Sequence, residues 1–85
     1  MGKDFKSIVV LLLTQAMINL GEIRDPVRQS TTVSLEKGRI FIELLECLRQ
    51  KTRGNLTEGE REYLEGVLKN IRLVYQRKSG GEEPS

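Results

Sequence analysis

Three stretches of the chain repeat apolar residues at intervals of three and four, the spacing of one face of an α-helix. In the first, residues 4–20, Phe5, Val9, Leu12, Ala16 and Leu20 form one stripe. Ile8, Val10, Leu11, Leu13, Met17 and Ile18 fill most of the remaining circumference, so that eleven of these seventeen residues are apolar. A helix that is apolar nearly all round must be covered on more than one side. Ile8, Val9 and Val10 taken alone suit a strand. The uninterrupted continuation through Leu, Gln, Ala and Met decides for a helix. The second stretch, residues 35–52, turns Leu35, Phe41, Ile42, Leu45 and Leu48 inward and widens the stripe with Ile40 and Leu44. The third, residues 58–77, carries Leu64, Val67, Leu68, Ile71, Val74 and Tyr75. The pattern predicts an all-α fold: a three-helix bundle-like domain over residues 1–78, completed by oligomerisation, with a disordered C-terminal tail over residues 79–85.

The punctuation agrees with this division. Gly21 is placed to stop the first helix and Ser34 to cap the second, with Glu36 favourable to the positive end of its dipole. Between them lies a long polar connection containing Pro26, which is either a plain crossover or a functional loop. Residues 51–57, which read KTRGNLT, organise the second half. Lys51 ends a helix, and Gly54 can take positive φ without a Cβ clash. Asn55 tolerates the same region, and Thr52 lies between. Thr57 opens a Thr-x-x-Glu capping box with Glu60. Stop and start signals this close predict that helices two and three form a tight antiparallel hairpin.

The KTRGNLT string resembles the hallmark of a short bacterial family known only as a domain of unknown function, in which a "KTxGNLT" turn follows a Leu-rich helix. Thr14-Gln15-Ala16, Leu20-Gly21-Glu22 at the end of the first helix, Pro26, Ile71-Arg72 and Tyr75 extend the similarity across residues 5–77. Two positions depart from that pattern: Glu43 stands for the usual Asp, and Gly38 for the usual Ala. A glycine there is expected to weaken the helix locally. The resemblance implies a small helical bacterial protein and brings no activity with it.

Composition narrows the chemistry. The 85 residues suffice for one modest core, which must be aliphatic because only two Phe and two Tyr are present. The chain contains no His, which removes the commonest general base and transition-metal ligand. Its single cysteine, Cys47, excludes an internal disulfide and reads as a small buried hydrophobe or an incidental surface thiol. Gly54, Gly59 and Gly66 lack the spacing of a phosphate loop. Glu58 and Glu62, one turn apart, read as a solvated first helical turn, with a small metal-dependent enzyme as the outside alternative. Fourteen basic and twelve acidic residues leave a net charge of +2, interspersed along the chain. The basic residues Arg49, Lys51 and Arg53 at the turn and Arg72, Arg77 and Lys78 near the end form no single patch with interleaved aromatics, which disfavours nucleic acid.

No signal peptide and no bilayer-spanning run is evident, so a cytoplasmic location is expected. The expected function is that of a non-enzymatic, self-associating interaction module with no cofactor and no metal. A homodimer is favoured, and an unknown protein partner is a further option. A membrane-surface or nucleic-acid accessory role is the alternative. Val10, Leu13 and Met17 are the apolar interface candidates on the first helix. Gln15, a polar residue amid the apolar face, is the candidate for fixing register across a symmetric interface, with Asn19 one turn on.

Overall fold

The computed structural model of the protein describes residues 4–24 and 33–80. Three helices follow one another: α1 Phe5–Asn19, α2 Leu35–Lys51 and α3 Glu58–Lys78. Their bounds fall within one residue of those the apolar periodicity predicts, and there is no strand among the described residues. Most of the Pro26 connection and of the C-terminal tail lies outside the described residues.

Each helix ends where its local chemistry provides partners for orphan backbone groups. At the end of α1, Gly21 takes φ 83°. Its N–H donates to Ile18 O at 3.1 Å, and the Glu22 N–H donates to Met17 O at 2.9 Å. This pair of bonds is a Schellman motif, which needs a left-handed residue at that position. The Ser34 N–H then donates to Asn19 O at 2.7 Å, which ties the start of α2 to the end of α1. The Ser34 hydroxyl caps α2 by accepting from the Lys37 N–H. Between α2 and α3 the Asn55 N–H donates to Thr52 O at 2.8 Å, with Gly54 at φ 84° inside that turn. No atom lies within 4 Å of where a Gly54 Cβ would stand, so glycine is needed here for its backbone and not for space. The capping box is complete: the Glu60 N–H donates to Thr57 Oγ1 at 3.1 Å, and the Thr57 N–H donates to a Glu60 carboxylate oxygen at 2.9 Å. Leu56, just before the cap, packs on the core and so performs the anchoring that a staple partner on α3 would otherwise share.

Two clusters make up the core. Val9 and Leu45 meet Leu64, Val67 and Leu68 in one. Ala16, Leu20 and Ile42 meet Ile71 and Val74 in the other. The order of these partners along each helix shows that α2 runs antiparallel to both its neighbours, while α1 and α3 run parallel. The hairpin of α2 and α3 is therefore as its sequence predicts, and α1 packs lengthwise against it within the same chain.

The closest approach is between α1 and α2. Gly38 is buried, and a Cβ built on it would lie 2.4 Å from Leu20 Cδ2 and 2.8 Å from Leu20 Cγ. The glycine expected merely to weaken α2 thus forms the floor on which the fully buried Leu20 side chain rests. The helical-propensity loss of about 1 kcal/mol is offset by a close interhelical seat.

Ion pairs decorate the seams that the core leaves open. Arg49 reaches Glu65 across the α2–α3 seam at 3.3 Å and Glu46 on its own helix at 3.5 Å, and Arg72 also pairs with Glu46. The carboxylate of Glu65, well spaced for an intrahelical pair with Lys69, is thereby taken by Arg49 instead. Glu22 accepts from Arg77 at 2.8 Å and lies 3.1 Å from Lys78 Nζ, linking the end of α1 to the end of α3. These hydrogen bonds, Arg77 first, hold the Glu22 carboxyl below its ordinary range.

Two outcomes follow. Gly38→Val forces a branched side chain into Leu20 and is expected to lower stability by about 2 kcal/mol. Gly38→Ala, in which propensity gain and displacement of Leu20 oppose each other, should change it by less than about 1 kcal/mol. Urea titration distinguishes these values, and a Val variant as stable as the parent would mean that Leu20 is not seated there. Because the Glu22 pKa is depressed by folding, its contribution is complete above the unfolded carboxylate pKa of about 4 and is lost as pH falls through the lower folded value. Glu22→Gln should therefore flatten the acid limb of a melting-temperature profile between pH 5 and pH 2, and an unchanged acid limb would show the pairs to be inconsequential.

Candidate functional site

The unusual element is α1. Its fifteen residues include one charged side chain, Lys6. The helix starts on Asp4, whose carboxylate accepts from the Ser7 N–H at 3.0 Å and from the Ser7 hydroxyl at 2.9 Å. These bonds hold the Asp4 carboxyl below its ordinary range. From there the apolar side chains point in every direction. Val9 and Ala16 are buried in the helix itself, with Leu20 just beyond. Leu11 stands 61% exposed, Ile8 49% and Val10 45%.

Helical phase and packing partners assign the flanks. Lys6 Nζ lies 5.4 Å from the centre of the Tyr63 ring, a cation–π contact that turns the Lys6 flank of α1 toward α3. Val10, Leu13 and Met17 share that flank, since they follow Lys6 at steps of four, seven and eleven residues. Leu13 packs against both core clusters, and Met17 packs against the second. Of the apolar interface candidates, these two are half-buried against the chain's own core, and Val10 is exposed. Gln15 is half-buried on the opposite flank, the one next to α2. Its backbone carbonyl accepts from the Asn19 side-chain amide at 2.8 Å, so the Asn19 amide is satisfied within α1.

The apolar surface that α1 leaves over is carried by Ile8, Leu11 and Val10. The first two were not singled out by spacing alone. The signal was present: Val9, Ala16 and Leu20 set the inward direction, and Leu11 lies about 200° from Val9 at 100° per residue. On α2, Leu44 and Ile40 remain 45% and 46% exposed. Leu44 precedes Leu45 as Ile8 precedes Val9, and Val9 and Leu45 share a cluster, so Ile8 and Leu44 lie on the same side of the α1–α2 pair.

The turn candidates serve structure. Lys51 ends α2, and Thr52 caps it while its hydroxyl donates to Leu48 O at 2.7 Å. Gly54, Asn55 and Thr57 make the turn and the capping box described above. Arg61 pairs with Glu58, which raises the pKa of the guanidinium and lowers that of the carboxyl. Cys47 is an exposed thiol, the second of the two readings its position allowed. Among the described residues no three His, Cys, Asp or Glu side chains converge to hold a metal ion, and no helix is long and apolar enough to cross a membrane.

No curated protein and no solved structure matches the chain. A family model does match, over residues 2–77, nearly the whole length. That extent agrees with the resemblance expected over residues 5–77, and the chain belongs to the family described as Domain of unknown function (DUF1844).

Proposed function

We propose that the protein is a self-associating interaction module, non-enzymatic and cytoplasmic, whose interface is the outer side of α1 together with the adjoining edge of α2. The observation that carries this reading is the exposure of Ile8, Leu11 and Leu44 on one side of a helix pair whose first member has a single charge. A monomer gains nothing from leaving such a face to water, and contiguous apolar patches commonly mark interaction surfaces. A second copy is the simplest cover, because a two-fold axis matches the patch to itself. Two α1–α2 pairs laid face to face would form a four-helix arrangement, with Gln15 at its edge available to set register. A lipid surface is the weaker reading: membrane-lying helices carry a basic polar face, and the lone cation of α1 is engaged with Tyr63. The absence of His from the sequence supports the non-enzymatic part of the proposal.

Sedimentation equilibrium at tens of micromolar protein should show a species of twice the 9.7 kDa chain mass. Leu11→Glu, at a position outside the core, should return the monomer with helical circular dichroism unchanged. A parent protein that runs as a monomer, or a Leu11→Glu variant that stays dimeric, would defeat the assignment.

A further inference from the structure

The α2–α3 turn has a feature that neither capping nor self-association uses. The end of α2, the turn and the first turns of α3 enclose a cleft of about 210 Å³. Three guanidinium groups line it from three separate backbone positions: Arg49 on α2, Arg53 in the turn and Arg61 on α3. The one carboxylate in the lining is Glu65, and Leu56 and Leu64 supply apolar wall.

The three arginines are unequally committed. Arg61 pairs with Glu58. Arg49 gives its two terminal nitrogens to Glu65 and Glu46. Its Nε is closed off from solvent and has no hydrogen-bond partner. A shielded N–H without an acceptor is rare in folded proteins and requires a reason. Arg53 is exposed and forms no ion pair among the described residues.

We propose that this cleft binds the phosphate group of a small molecule. Guanidinium forks recognise oxyanions through paired, charge-assisted hydrogen bonds. A carboxylate has two oxygens and suits one fork. A phosphate presents oxygens in several directions and can face Arg49, Arg53 and Arg61 at once. A small rotation of the Arg49 side chain would give its Nε–H an acceptor. Arg49 and Arg61 are already paired with carboxylates, so Arg53 supplies the uncommitted positive charge that favours an anionic guest. The cleft exceeds the size of a bare phosphate, and the leucine wall is suited to the organic part of an ester.

The test is a titration of the ¹⁵N-labelled full chain at fixed ionic strength, with inorganic phosphate in one arm and phenyl phosphate in the other. Saturable shifts are expected at the Arg53, Gly54 and Leu56 amides and at the Arg49 Nε–H resonance. Tighter binding of phenyl phosphate would identify an ester as the guest, and equal affinity would identify the free ion. Arg53→Gln should weaken binding by about tenfold, the equivalent of one charge-assisted hydrogen bond. Arg61→Gln on the other helix should weaken it similarly, and the remaining resonances report whether each variant is folded. Shifts that rise linearly without saturation, shifts equally strong at Arg39, Lys69 and Arg72, or an affinity unchanged in both variants would overturn the proposal.

Discussion

The seating of Leu20 over Gly38 sets the geometry of the molecule. It fixes how near α1 can come to α2, and it occurs where the two helices are also joined by the bond from Ser34 to Asn19. With that end pinned, antiparallel travel brings Val9 to Leu45, and α3 then has one groove left to fill with Leu64, Leu68 and Ile71. The rotation of α1 about its axis follows from the same contact. Leu20 and Ala16 must face inward, so Leu11 must face outward. The apolar surface proposed as an interface is thus a geometric corollary of core packing, on a helix that carries almost no charge with which to face water.

Much of this was legible in one dimension. Helix number, bounds and the antiparallel α2–α3 hairpin follow from apolar spacing and from Gly21, Ser34, Gly54 and the Thr57–Glu60 box, all local signals acting over four residues or fewer. What spacing could not supply was choice among equivalent neighbours. Glu65 has a cation one turn away in Lys69, yet Arg49 from the next helix claims it, because the α2–α3 seam brings Arg49 within 3.3 Å. Leu13 and Met17 look as available for a partner as Leu11 does until α3 arrives on their flank. Gly38 reads as a weak point until Leu20 is placed on it. In each case the deciding fact is where another helix lies.

The distribution of charge separates the three helices by role. The α2–α3 seam is bordered by the Arg49, Glu46, Arg72 and Glu65 network, partly exposed pairs of the kind that contribute little individually but orient long side chains. The α1 helix joins that hairpin through aliphatic contact, one cation–π contact and the Glu22 pairs at its end. Register between α2 and α3 is therefore specified by charge as well as shape, whereas α1 is held chiefly by shape. The end of α2 and the turn that follows bring Lys51 and Arg53 together with no carboxylate between them.

The near absence of charge on α1 has a consequence in time. The chain is synthesised from the amino end, so α1 is complete before any residue that covers it. Its last core partner, Val74, follows Asn19 by 55 positions. At about 5 to 20 residues per second that interval is roughly 3 to 11 seconds. Throughout it, a segment with two charges and eleven apolar residues in positions 4–20 lacks part of its native cover. For the nascent chain the difficulty is keeping its first helix out of unproductive association until the hairpin that receives it has been made.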